Sequence, residues 1–535
     1  MNGWTSVLNI NPSAPRRSPP PLAVLFMLAA AGVAPASTQA GVAPSAAQHG
    51  AVAHVGAPQI IMIDPAAPAH AFPHFWEQMF GSGRAVLSLR DDYRRDLRTV
   101  KAATEVRYVR FHGILLDEVG VYDEDAKGRA EYNFSYVDQI YDGLLAAGVR
   151  PFVELSFMPR KLAAAPVRQS FWYAPIVSPP KDYSRWDALI RAFARHLVDR
   201  YGIAEVSQWY FEVWNEPNLD FWAGTPKQSS YWQLYDQTAL ALKSVDARLR
   251  VGGPATAQAA WVSAFIKHAA TRHIPVDFVS SHVYGNDKAE DVFGSHERIP
   301  RNRMVCRAVR KVHDEIRASA LPALPLIWSE FNASYANEPA VTDALYMAAW
   351  LGETASRCDG LVDAMSYWTF SDVFEEQGVI KTPFYGGFGL LAEGGIAKPA
   401  FNAFVLLHRL AHTRIDLPSP ETLLTRRRDG ALVLALWNYA APDAAGAPRQ
   451  VRLRLQGGGT QRATVALLDR SHGDVNGAYR RMGSPRYPTQ AQYRALRAAA
   501  ALPPPAAVSL QDGALDLTIP AHGLALVTIG GAATP

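Results

Sequence analysis

The chain has 535 residues, 49% hydrophobic and 10% aromatic, too many for one average domain and enough for a barrel plus a smaller partner. Its 53 basic and 49 acidic residues leave a net charge of +4, interspersed rather than blocked, which excludes a nucleic-acid-binding footprint.

Arg16 and Arg17 precede the apolar run Leu22–Ala31, and small residues follow, with cleavage expected after Ala36 or Ala40. A charged start, a short apolar segment and a small-residue site predict a secretory signal over residues 1–40. The run is shorter than the roughly 20 residues of a membrane-spanning helix, so a soluble protein, secreted or periplasmic, is expected after cleavage. Residues 41–74 form an N-terminal segment in which Gln59–Ile63 reads as a strand that joins a later sheet.

From about residue 75 to 410, short apolar strands alternate with long amphipathic helices. The strands are predicted at Glu77–Gly81, Arg107–Phe111, Pro151–Phe157, Trp209–Trp214, Arg250–Gly253, Asp277–Val283, Leu326–Phe331 and Ala364–Phe370. Between them, Val137, Ile140, Tyr141, Leu144 and Leu145 recur at helical spacing, as do Leu189, Ile190, Phe193, Leu197 and Val198. Eight such units predict an α/β fold, a closed (β/α)₈ TIM barrel. Residues 411–535 change character. Short strands such as Ala431–Trp437, Val451–Leu455, Leu515–Ile519 and Leu524–Ile529, set between turns, predict a C-terminal β-sandwich interrupted by a helix at Gln490–Ala500. Cys306, early in one barrel helix, and Cys358, at the end of the next, are expected at opposite ends of the barrel as two free buried thiols.

In such barrels the active site forms where the strands end. Trp209–Val213 leads to Trp214-Asn215-Glu216-Pro217, where a charge at the mouth of a hydrophobic strand is costly unless it is used. Glu216 reads as an acid with a raised pKa, and Asn215 as a neighbour that hydrogen-bonds a sugar. Leu326-Ile327-Trp328-Ser329-Glu330-Phe331-Asn332 repeats the pattern three strands later, across the barrel mouth. Two carboxylates facing each other across about 5 Å are what a double-displacement glycosidase requires. No metal-binding motif and no cofactor signature accompanies them.

These two segments resemble the retaining glycosidases with (β/α)₈ barrels, and further motifs narrow the resemblance to glycoside hydrolase family 39. They are Tyr108–Gly113, Pro151–Pro159, Ser366–Glu376, Gly386–Leu391, Lys398-Pro399-Ala400 and, beyond the barrel, Met482-Gly483-Ser484-Pro485. The family contains β-xylosidases and α-L-iduronidases, both retaining, with a barrel and an attached β-sandwich. The resemblance implies that Glu216 is the acid/base and Glu330 the nucleophile. It places His112, Asn215, His282, Tyr284, Trp368 and Glu375 in segments that line the sugar site. His112 also suits a strand-end network with Arg110, Trp368 suits either sugar stacking or core packing, and Glu154 reads as a structural partner of Arg110. Of the adjacent Glu375 and Glu376, the resemblance favours Glu375 for substrate hydroxyls.

The expected activity is β-xylosidase action on the ends of xylo-oligosaccharides. Arabinosidase or iduronidase activity, or a non-catalytic carbohydrate-binding protein, are the alternatives. A uronic acid would want a cationic clamp, for which Lys381 is the candidate.

Overall fold

The structure, a computed structural model, describes residues 57–530; the predicted secretory signal lies outside the described residues. Eight parallel strands close into a barrel in which neighbours in space follow chain order. They are β1 (Met79–Gly81), β2 (Tyr108–Phe111), β3 (Arg150–Leu155), β4 (Tyr210–Val213), β5 (Arg250–Thr256), β6 (Phe278–His282), β7 (Leu326–Phe331) and β8 (Ala364–Tyr367). Each overlaps the strand expected from sequence.

Strand alternation explains the barrel's interior. Residues two apart share a face. Met79, Phe152, Phe278 and Ile327, with Tyr108 and Tyr210, form an apolar cluster at the N-terminal end of the strands. Two residues further along β2, β3, β4 and β6 come Arg110, Glu154, Glu212 and Ser280, all buried. The lumen thus passes from an apolar floor to a charged layer, and the next step upward reaches His112 and His282. At β7 the register with β8 shifts between Trp328 and Phe331, and His282 pairs with Glu330 across β6 and β7. That irregularity lets the consecutive residues Ser329 and Glu330 both reach the lumen, where regular alternation would send one outward.

The segments flanking and following the barrel build two further sheets. One has three strands in the order Gln59–Ile63, Arg449–Leu455, Ala514–Ile519, with Gln59–Ile63 parallel to Arg449–Leu455 as a late partner. The other has seven antiparallel strands, from Ala69–Ala71 at one edge to Ala506–Leu510 at the other. Leu432–Trp437, in its middle, is buried on both faces. Leu432, Leu434 and Leu436 face the core between the two sheets, while Val433, Ala435 and Trp437 join the core of the barrel and its helices. Trp437 lies against Gly352, where a Cβ would come within 2.9 Å of the indole, and its Nε1 donates to Glu353. The helix Gln490–Ala500 begins at a capping box made by Thr489 and Gln492. Among the described residues no helix is long and apolar enough to cross a membrane.

The expectation of two free thiols is wrong: Cys306 and Cys358 form a disulfide, with Cα atoms 5.1 Å apart. The reason is stagger. Trp350 Nε1 donates to the carbonyl of Arg301, so the helix Tyr346–Arg357 starts about one turn above the helix Arg301–Arg317. Its end therefore lies level with Cys306, not at the opposite rim.

Candidate active site

Arg110 organises the charged layer. Fully buried, it donates from Nε to Glu212 (2.6 Å), from Nη1 to Glu330 (2.6 Å) and from Nη2 to Asn215 Oδ1 (2.9 Å), with Glu154 2.7 Å from Nη2. Burial works against the guanidinium's charge, but Glu154, Glu212 and Glu330 outweigh it and raise the pKa. The carboxylates divide the remaining charge. Burial pushes Glu212 up despite Arg110, whereas at Glu154 the same burial is overcome by Arg110 and His112, which hold it below the ordinary value. Glu154 is thus the structural partner expected from sequence, and His112 Nδ1 donates to it at 2.7 Å.

Above this layer sits Glu330, at the end of β7. Glu330 receives Arg110 on Oε1 and the hydroxyl of Tyr284 on Oε2 (2.6 Å), so both oxygens are oriented. Glu216 follows β4, its backbone N–H donating to Ala255 O at 2.8 Å in a left-handed conformation (φ 43°). One carboxylate oxygen each of Glu216 and Glu330 and a ring nitrogen of His282 lie within 4.8 Å of one another. His282 Nδ1 is 3.0 Å from Glu216 Oε1 and Nε2 is 3.0 Å from Ser329 Oγ. Both ring nitrogens are therefore engaged, one by Glu216 and the other by Ser329, and His282 has no spare lone pair for a metal. Burial, then Arg110 and His112, hold the His282 pKa well below its ordinary value, so the ring is neutral and carries one proton. Glu216 moves the other way, well above the carboxylate range, through burial first and the negative charges of Glu330 and Asp287 next.

These groups line a cavity of about 270 Å³. Its walls are aromatic: Phe171, Phe221, Tyr284, Tyr335, Trp368 and Phe388. Trp368 lies directly over Gly81, where a Cβ would come within 2.0 Å of the indole, so only glycine allows the ring to sit there. Asn215 is buried, and because its carbonyl oxygen accepts from Arg110, its amide nitrogen is free to donate toward the cavity.

Of the residues expected from sequence, His112, Asn215, Glu216, His282, Tyr284, Glu330 and Trp368 all line this cavity. Glu375 does not. Its carboxylate turns to Arg84 (3.2 Å) and Arg90 (2.6 Å), and it is Glu376 that enters the cavity. Burial, then Glu330 and Glu216, push Glu376 well above the carboxylate range. Lys381 is exposed and lies outside the cavity walls. Sequence reasoning missed Arg110 as the hub, although its position two residues before His112 on one strand carried the signal. It also missed Asp287, Gln258 and Glu376 at the cavity wall.

The family model for glycosyl hydrolases family 39 matches residues 59–512. The chain belongs to glycosyl hydrolase family 39. A β-xylosidase of Geobacillus stearothermophilus is 38% identical over 440 residues, covering 80% of this chain and 86% of that protein. A β-xylosidase of Caldicellulosiruptor saccharolyticus is 35% identical, covering 85% of this chain and 95% of its own length. The crystal structure of a monomeric β-xylosidase from Caulobacter crescentus superposes with a TM-score of 0.80 at 34% identity, covering 89% of this chain and all of that one. As a family 39 member, the protein is a glycoside hydrolase with a carbohydrate substrate.

Proposed function

We propose that this protein is an exported retaining β-xylosidase that releases terminal β-D-xylosyl residues from xylo-oligosaccharides. The observation that carries the mechanism is the closeness of Glu216 and Glu330, whose nearest oxygens lie within 4.8 Å. Retaining enzymes hold their carboxyl groups about 5–5.5 Å apart, whereas inverting enzymes leave about 6.5–9.5 Å for a water between them. Glu330, its oxygens aligned by Arg110 and Tyr284, attacks the anomeric carbon. Glu216, kept protonated by burial and by Glu330, gives its proton to the glycosidic oxygen. His282 donates from Nδ1 to Glu216 Oε1 and accepts on Nε2 from Ser329, which leaves the proton on the other Glu216 oxygen, toward the leaving group. Once Glu330 is esterified its charge is gone and the Glu216 pKa falls. Glu216 then takes a proton from the water that opens the glycosyl-enzyme.

The cavity also favours a neutral sugar. Glu216, Asp287, Asp291, Glu330 and Glu376 line it, against one lysine, Lys288. A uronate would meet acidic walls and no arginine fork. The β-xylosidase relatives support xylose in particular. Export is supported by the N-terminal leader and by the Cys306–Cys358 disulfide, a bond characteristic of oxidising compartments.

Initial rates on aryl β-D-xyloside, α-L-arabinoside and α-L-iduronide, for the wild type and Glu330→Gln, test this reading. Fast release from the xyloside and near-silence of the variant are expected. Preference for the iduronide, or silence on all three, overturns the proposed substrate.

A further inference from the structure

At the opposite end of the barrel from the catalytic mouth, three segments meet where the first and last units close on each other. Phe72–Glu77 leads into β1, Glu105 precedes β2, and His408 to His412 follow the helix Pro399–Leu407. The Phe72 N–H donates to the His412 carbonyl at 2.9 Å, and the Glu105 N–H donates to Glu77 Oε2 at 3.3 Å, so backbone contacts fix the three against one another. Two overlapping groups of ligating side chains result, both containing His74.

The groups differ in kind. His74 Nδ1 and Glu77 Oε1 are 2.6 Å apart, and His408 Nδ1 is 3.1 Å from both Glu77 oxygens. Those are hydrogen bonds, closed by protons. The other group, His74, Glu105 and His412, is open. His74 is 2% exposed, yet its Nε2 is buried without a hydrogen-bond partner among the described residues. A buried polar atom left unpaired is costly. With Nδ1 engaged by Glu77, Nε2 is the ring atom left open to a ligand. A ligand atom of His74, one of Glu105 and one of His412 lie within 4.8 Å of each other, and His412 Nε2 is 3.4 Å from Glu105 Oε1. Two donors each about 2.0–2.1 Å from a tetrahedral zinc stand roughly that far apart. Glu77 stands behind His74 as the carboxylate that fixes the tautomer and orientation of a metal-bound histidine. His412 is mostly exposed and Glu105 partly so, which gives an ion a way in and lets the His412 ring, now tilted over His74, swing its nitrogen inward.

We propose that His74, Glu105 and His412 form a binding site for a divalent transition-metal cation of zinc type, with water completing the coordination. Two imidazoles and one carboxylate suit zinc rather than magnesium or calcium, which favour all-oxygen sites. The ion would clasp the start of the barrel to the segment that ends it.

The test is calorimetric titration of Zn²⁺ into the chelator-stripped full chain, with Glu330→Gln as a check on the catalytic carboxylates. One ion per chain is expected in both proteins, with no response to Mg²⁺. His412→Ala, a change at an exposed side chain, and Glu105→Gln should each abolish that binding, and Glu77→Gln should weaken it about 10- to 100-fold. Zn²⁺ should also raise Tm in the wild type and not in His412→Ala. No binding to the wild type, or binding unchanged in His412→Ala and Glu105→Gln, overturns the site; binding lost in Glu330→Gln assigns the ion to the catalytic carboxylates and equally overturns it.

Discussion

Tyr284 and Glu330 are joined by a hydrogen bond of 2.6 Å, from the phenol hydroxyl to the carboxylate oxygen not used by Arg110. Burial and the neighbouring Glu330 and Glu216 charges hold the Tyr284 pKa well above its ordinary value, so it stays a donor. Removing a hydrogen bond to a charged group costs about 1.5–3 kcal/mol. Tyr284→Phe should therefore lower kcat on an aryl β-D-xyloside by roughly 10- to 100-fold. The circular dichroism spectrum should not change, since the ring stays. An unchanged kcat would mean that Tyr284 only packs.

Glu216 is the group whose protonation should shape the pH profile. Its raised pKa comes from burial first and Glu330 next, so the basic limb of kcat/KM should lie well above the ordinary carboxylate range. Glu330→Gln removes the largest charge behind that shift. Titration followed by carboxyl ¹³C NMR should show the Glu216 pKa lower in the variant than in the wild type. A Glu216 pKa that is equal or higher in Glu330→Gln would show that the two carboxylates do not sense each other.

Glu376 makes a stability prediction with a definite sign. A carboxyl raised in the folded state binds its proton more tightly there than in the unfolded chain. Stability is then lost as pH rises from the unfolded value of about 4.3 toward the folded one. Glu376→Gln should raise Tm near neutral pH, with the gain vanishing near about pH 4. Activity should fall in the same variant if Glu376 contacts sugar. A Tm gain independent of pH would count against the shift.

The Cys306–Cys358 bond closes a loop of 52 residues between two adjacent barrel helices. Chain-entropy arguments give a loop of that size about 4 kcal/mol. The double variant Cys306→Ser, Cys358→Ser should lose stability in denaturant titrations by about 2–5 kcal/mol. Both bonded cysteines are buried, so thiol counting should find no free thiol before the chain is unfolded and reduced.

The eight strands, the later sheets and the placement of Glu216 and Glu330 at strand ends facing one cavity were legible because each rests on a local pattern. Glu216 and Glu330 end apolar strands, and a charge in that position announces itself. Gln59–Ile63 was legible as a strand from its composition, and pairing with a segment nearly 400 residues later followed from its place ahead of the barrel. What could not be read depended on geometry between elements. Glu375 and Glu376 are adjacent in an irregular loop where Glu375 has φ 64°, so no periodicity says which of them faces inward. Arg84 and Arg90 decide it by capturing Glu375, and they come from the other end of the barrel sequence. The disulfide depended on a one-turn stagger between helices, which hydrophobic spacing does not encode. Arg110 was visible as a residue, but its role as a hub follows only from barrel closure, which brings β2, β3, β4 and β7 around one guanidinium.

The most direct test of the central claim is the configuration of the first product. Hydrolysis of an aryl β-D-xyloside by the wild type, followed by ¹H NMR from the first minutes, resolves the two anomers of xylose before they equilibrate. Double displacement through Glu330 predicts that β-xylose appears first and α-xylose only later, by mutarotation. The α-anomer appearing first would mean a single displacement by water and would contradict the assignment of Glu330 as nucleophile.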